Sequence, residues 1–231
     1  MTAFDLEVRG LSVTAPSGRT LLDVPALSVP AGALLGVKGA SGAGKSTLLS
    51  ALAGLIRPRA GAVLWGGRDI SGLGAEPMAA FRRRHLGVMF QTARLFDELS
   101  PHENAGIAAG FAPRAEAARI TKAAAGFLTR FGLDADARRG AARHSGGERQ
   151  RIALARALAH SPAAVLADEP TASLDRATAD DLIGLLSDLA RAQGMTLIVV
   201  SHDAALLARM DRVLELSGGG IVDDQIRKAA Q

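Results

Sequence analysis

Residues Gly39-Ala40-Ser41-Gly42-Ala43-Gly44-Lys45-Ser46 fit the spacing G-x-x-x-x-G-K-[ST] of a phosphate-binding loop. Its glycines let the backbone curl so that successive N–H groups point at phosphate oxygens. A helix that starts at the loop adds its positive N-terminal end to the same anion. Lys45 can reach the β- and γ-phosphates, and the Ser46 hydroxyl can ligate Mg²⁺, with Thr47 carrying the contact into the helix. A glycine-rich turn that merely carries a lysine would need no flanking order. Here a buried-strand run, Ala33 to Val37, precedes the loop and a helix-like stretch, Ser46 to Leu55, follows it. The loop reads as a nucleoside triphosphate site.

Asp168 and Glu169 end another apolar run, Ala164 to Ala167. Carboxylates at the C-terminal end of a buried parallel strand lie where such sheets bind ligands. Asp168 can hold Mg²⁺ through water, and Glu169 can polarise a water for attack on a γ-phosphate. Two solvated acids at a strand end are the plain alternative. His202 follows the run Thr196 to Val200 at the same sheet edge, either as a structural histidine or as a γ-phosphate sensor. Gln91, after Val88-Met89-Phe90, can touch Mg²⁺ or the attacking water, or can be an ordinary loop residue. Ser145-Gly146-Gly147-Glu148 also has two readings. It is a capping box before the apolar helix at Ile152, and its glycines beside a helix N-terminus also suit an anion. A second anion end suggests a site shared between two chains.

The elements that must position these groups follow from periodicity. Phe4, Leu6 and Val8 alternate as in a half-buried strand, and Val13, Leu21, Leu22 and Val24 lie among turn residues, which predicts a small antiparallel sheet. The runs 33–37, 164–167 and 196–200 predict parallel strands buried on both faces. Leu182, Leu185, Leu186 and Leu189 recur at helical spacing within Ala177 to Gln193. Strand, helix, strand in this order implies an α/β core with right-handed crossovers. Pro101 to Ala159 is alanine-rich with no strand pattern, and is expected as a helical insertion.

Composition bounds the rest. The chain has 231 residues, 48% of them hydrophobic but only 3% aromatic, so the core must be aliphatic. Cysteine is absent, which excludes disulfides, thiolate metal sites and cysteine nucleophiles. The first residues lack a basic and apolar leader, and no run approaches the ~18 apolar residues of a membrane span. The chain is expected in the cytoplasm unless a partner holds it at a membrane. The formal charge of +4 is modest, and Arg82-Arg83-Arg84 is its one run. That run fits a solvated helix face, with an acidic membrane surface as the alternative. Nucleic acid is not expected as a partner.

Taken in order, the loop, Gln91, Ser145 to Gln150, Asp168-Glu169, Ser173-Leu174-Asp175 and His202 resemble an ABC-type ATPase along nearly the whole chain. The resemblance implies an α/β P-loop ATPase core with a mostly parallel sheet, an antiparallel β subdomain and an α-helical subdomain at about 92–160. It implies ATP and Mg²⁺ as ligands, with Ser46, Gln91 and Asp168 at the metal. Two copies would pair head to tail around two ATP molecules, with Ser145 to Glu148 of one facing the γ-phosphate on the other. Glu169 would be the general base, His202 would orient phosphate and water, and Asp175 would signal across the interface. ATP would close the pair and hydrolysis reopen it, driving an integral membrane permease from the inner face of the membrane.

This sequence departs from the family pattern at three positions. His144 stands where leucine is usual, Glu148 where glutamine is commoner, and Ala15 where an aromatic residue normally stacks on adenine. Losing that stack would weaken adenine contact by roughly 1 kcal/mol or more. The stretches Arg84 to Gln91, Glu103-Asn104, Ser145 to Ile152 and Leu166 to Asp175 are similar to the branch that holds the LolD, MacB and FtsE ATPases. Export, lipoprotein release or mechanotransmission would follow. Rival readings are a soluble ABC ATPase of metal-cluster assembly or phosphonate metabolism, and a nucleotide-regulated binding module with low turnover. Intact Glu169, His202 and Gln91 argue against the last. The stretch after Ile221 is too short for a separate regulatory domain.

Overall fold

The computed structural model describes residues 3–133, 140–172 and 174–227. Strands β1 (Leu6–Thr14), β2 (Thr20–Val29), β4 (Ala60–Trp65) and β5 (Arg68–Asp69) form an antiparallel sheet in the order β2-β1-β4-β5. The larger sheet joins β3 (Leu34–Lys38), β6 (Leu86–Met89), β7 (Ala164–Asp168), β8 (Thr196–Val200), β9 (Arg212–Ser217) and β10 (Gly220–Ile226). Its order is β10-β9-β3-β8-β7-β6. Pairs from β9 across to β6 are parallel, and β10 returns antiparallel to β9.

The aliphatic runs behave as strands buried on both faces should. Side chains along a strand alternate between faces, and the alternation sorts them into two cores. Leu35, Val37, Leu166, Ile198 and Val200 join one core with the antiparallel sheet, α1 (Lys45–Leu52) and α2 (Ala75–His85). Leu34, Val165, Ala167, Leu197 and Val199 join the other. That second core also takes in α3 (Pro101–Ala105), α4 (Arg114–Arg130), α5 (Gly146–Leu158), α6 (Arg176–Gln193) and α7 (Ala204–Ala208). The two cores hold β7 and β8 from both sides, so truncating a fully buried leucine such as Leu166 to alanine would cost roughly 2–5 kcal/mol.

Between β6 and β7 the described residues contain no strand, in line with the expected helical stretch. Helix α1 ends at Leu52, three residues before the expected Leu55. Gly54 turns into the left-handed region at φ 60°, and Leu55 N–H reaches back to Ser50 at 2.8 Å, closing the chain instead of extending it. The single tryptophan, fully buried Trp65, donates its indole N–H to the Leu52 carbonyl at 2.9 Å. That bond supplies a donor to one of the carbonyls that a helix C-terminal end leaves without a partner. Among the described residues no helix is long and apolar enough to cross a membrane.

Candidate functional site

The loop between β3 and α1 folds around Lys45. Its Nζ donates to the carbonyls of Gly39 at 2.7 Å and Ala40 at 2.9 Å, so the ammonium spans the loop it serves. Gly44 caps α1 at φ 101°, and a Cβ there would lie 2.9 Å from the Leu21 carbonyl oxygen. Both the backbone angle and the close approach of β2 require glycine. No side chain caps α1 and no acid stands in its first turn, so its leading N–H groups and positive dipole end are left for an anion.

A cavity of about 770 Å³ opens over this loop. Gly39, Ser41, Gly42, Gly44, Lys45, Ser46 and Thr47 line it, together with Gln91, Asp168, Glu169 and His202. Ala40 and Ala43 do not line it. Ala43 is buried, and its carbonyl accepts the Gly219 N–H at 3.1 Å. Lys45, Ser46, both acids and the histidine therefore share one chamber, as their positions at the ends of neighbouring parallel strands predict.

Asp168 ends β7, and burial raises its carboxyl above the ordinary aspartate range, opposed by a hydrogen bond with Ser46 and by the charge of Lys45. Nearby Glu169 adds to the upward push. Glu169 occupies the left-handed region at φ 47°, a conformation unfavourable for residues with a Cβ. Its backbone N–H donates to the Val200 carbonyl at 2.9 Å, which ties the residue to the end of β8. His202 Nδ1 lies 3.0 Å from one Glu169 carboxylate oxygen and 3.1 Å from the other. Glu169 is 13% exposed and His202 79%, so the histidine is the outer member of the pair.

Gln91 lies two residues beyond β6, and its surroundings are set from α5. Gln150 Nε2 donates to the Gln91 carbonyl at 3.0 Å. Arg156, on the same helix, donates to the carbonyls of Ala93 and Arg94, each at 2.7 Å. The Arg94 guanidinium stacks 4.2 Å from the centre of the Phe90 ring. Neither Gln150 nor Arg156 stands out by spacing alone; each is a polar residue on the apolar helix that starts at the Ser-Gly-Gly-Glu stretch.

Ser145, Gly146, Gly147 and Glu148 do not line the cavity, and neither does Asp175. The capping box is formed: Ser145 Oγ accepts from the Glu148 N–H at 3.3 Å, and the Ser145 N–H donates to Glu148 at 2.7 Å. The Ser145 backbone bond, chiefly, holds the Glu148 carboxyl below its ordinary range. His144 is buried behind this turn, with Nδ1 3.9 Å from the Glu148 carboxylate. Asp175 caps α6, accepting from the Thr178 N–H at 3.0 Å and the Thr178 hydroxyl at 2.7 Å. Ser173 lies outside the described residues. Ala15 sits in the β1–β2 turn, where its N–H donates to the Arg19 carbonyl, and it does not line the cavity. The rest of the lining, Arg19, Thr20, Leu21, Gly218 and Gly219 from two hairpins, had no signature in sequence beyond the glycines of the second.

Residues 22–172 match the family described as ABC transporter. Over 199 residues, 85% of each chain, the sequence is 46% identical to the lipoprotein-releasing system ATP-binding protein LolD of Oleidesulfovibrio alaskensis. It is 40% identical over 229 residues to the macrolide export ATP-binding/permease protein MacB of Rhodopseudomonas palustris. That alignment covers 97% of this chain and 34% of the relative, so the chain spans about a third of the length of such MacB proteins. The fold matches dimeric MJ0796, a bacterial ABC transporter cassette, with TM-score 0.90 at 28% identity over 97% of this chain and 100% of that one. A post-hydrolysis dimer of the same cassette, bound to ADP and Pi, matches with TM-score 0.88 at 26% identity, over the same shares of the two chains. On that span and identity, the chain is a member of the ABC transporter family of ATP-binding cassettes.

Proposed function

We propose that this chain binds and hydrolyses ATP and, as a head-to-tail dimer, drives an integral membrane permease for export, lipoprotein release or mechanotransmission. The observation that carries the reading is the Glu169–His202 pair, 3.0 Å apart in the cavity that the Lys45 loop lines. The open N–H groups of α1 and the Lys45 ammonium receive the phosphates. Ser46 Oγ, the Asp168 carboxylate and the Gln91 amide oxygen offer hard oxygen ligands in one cavity, with Ser46 and Asp168 hydrogen-bonded to each other, a donor set that suits Mg²⁺. Bound there, Mg²⁺ would neutralise phosphate charge and favour the ionised form of Asp168, which burial disfavours. Glu169 takes a proton from the attacking water, while His202 holds the carboxylate and faces the phosphate.

His202 is exposed, and Ser145 to Glu148 and Asp175 stand away from the cavity. Both facts support a second copy that covers the histidine and brings its own Ser145-to-Glu148 turn to the phosphate. The dimeric cassettes of like fold support the same reading. Residues 92–160 serve as the helical subdomain that moves with Gln91. LolD and MacB relatives support a place at the inner face of the membrane, beside a permease.

Glu169→Gln tests the chemistry. It keeps shape but removes the base, so turnover should fall by roughly 10²–10⁴-fold while ATP binding persists. An ATP-bound dimer should then accumulate in light scattering. Normal turnover would remove Glu169 from the role assigned to it. Gentle membrane solubilisation with a tagged chain tests the partner, and recovery without any polytopic protein would reject the transporter reading.

A further inference from the structure

The cavity is longer than its phosphate end. Beyond Gly44 its wall comes from the return of the β1–β2 hairpin and the β9–β10 turn, where Leu21 and Gly219 both approach Gly44 closely. A nucleoside attached to phosphates on the Lys45 loop must extend along some wall of this chamber. Among the described residues no phenylalanine or tryptophan lines the chamber, and the chain has no tyrosine. Among the described residues His202 is the one histidine in the lining, and it is already engaged with Glu169. The planar groups of Gln91, Asp168 and Glu169 are taken up at the phosphate end, which leaves the Arg19 guanidinium as the planar side chain beside Leu21 and Gly219.

We propose that Arg19 is the nucleobase platform of this site, a specificity-determining residue that stacks its guanidinium on the purine. The inference rests on the ATP-binding reading above. Arg19 starts the strand return: its carbonyl accepts the Ala15 N–H at 2.8 Å and Thr20 re-enters register opposite Thr14. The backbone is thereby fixed while the side chain stays exposed at the chamber's edge. Leu21, next along the wall, adds an apolar flank. A guanidinium stacks on aromatic faces and is more weakly hydrated than an ammonium, so lysine does not replace it. An exposed cation–π contact is worth about two- to five-fold in binding. The same side chain carries a positive charge that a phosphate would also attract, so the test must separate base from phosphate.

Calorimetric titration of the full chain with ATP and with inorganic triphosphate does so, using Arg19→Ala, Arg19→Lys and Arg19→Trp. Arg19→Ala should weaken ATP about two- to five-fold and leave triphosphate unchanged. Arg19→Lys should behave like Arg19→Ala, and Arg19→Trp should restore ATP binding through its ring. Equal weakening of ATP and triphosphate would make Arg19 a phosphate contact and overturn the proposal. No change in either would overturn it as well. Failure of the unaltered chain to bind either ligand would instead reject the ATP-binding reading itself, and the platform with it.

Discussion

Two helices of this protein begin at glycine-rich stretches, and they treat their open ends in opposite ways. Helix α1 starts at Gly44 with no side-chain cap, no acid in its first turn, and a lysine folded over the loop. Helix α5 starts at Ser145 and satisfies itself, with Ser145 and Glu148 exchanging hydrogen bonds at 3.3 and 2.7 Å. An uncapped end is destabilising by itself, since its N–H groups lack partners. The first helix therefore accepts a local cost and leaves its positive end to a ligand. The second is complete before any anion arrives, and Glu148 already places a negative charge there. Glycine content alone does not distinguish a receiving end from a sealed one; the residue at the cap does.

The largest effect that sharpens this contrast belongs to Lys45→Ala. Removing a charged donor to phosphate should weaken ATP binding by roughly 10- to 150-fold, the equivalent of ~1.5–3 kcal/mol. Ser145→Ala should leave the affinity of the isolated subunit within about two-fold, because α5 does not line the cavity. Calorimetry on both variants decides it, and equal losses would erase the asymmetry. Next comes Gly44→Ala. A residue with a Cβ held at φ 101° and 2.9 Å from the Leu21 oxygen should cost about 1–2 kcal/mol from the backbone angle alone. Urea unfolding would read it, and a neutral result would deny that the loop is held in this conformation.

Ser145→Ala should lower stability by about 1 kcal/mol, the usual value of an N-cap. The smallest effect is acid sensitivity at the same turn. The folded chain holds the Glu148 carboxyl below its ordinary range through the Ser145 N–H, so unfolding raises its pKa. That stabilisation is fully present above the unfolded value and fades as pH falls through the folded one. Glu148→Gln should therefore flatten the loss of melting temperature between about pH 5 and pH 3. An unchanged acid slope would mean the carboxylate contributes nothing there.

What the sequence made legible follows the same division between local and assembled. The loop, its preceding strand and its helix are contiguous, so spacing and periodicity sufficed. Strands β7 and β8 announced themselves as unbroken aliphatic runs, and Asp168 and Glu169 followed from their position at a strand end. Strand β10 did not, because Gly220 to Ile226 carries three polar residues and lies at a sheet edge with its side chains largely exposed. Strand β4 begins with exposed Ala60 and Gly61, which carry no strand pattern. The cavity wall at Arg19 and Gly219 was hidden for another reason. It joins two hairpins almost the whole chain apart, and no short-range pattern reports a contact at that separation. Gln150 and Arg156 were hidden likewise, since their partners are backbone carbonyls that any residue type would supply.

Those two carbonyl-holding side chains give α5 a mechanical character. Gln150 grips the chain at Gln91 and Arg156 grips it at Ala93 and Arg94, two fastenings along one rod. A rod fastened at two points transmits rotation instead of slipping. From Arg156 to Ser145 the helix measures about 16 Å at 1.5 Å per residue, so a tilt of about ten degrees imposed near Gln91 would sweep the Ser145 end by about 3 Å. A displacement of that size exceeds the tolerance of a hydrogen bond. Small adjustments at Gln91 would thereby be geared up into the making or breaking of contacts at the far tip of the rod.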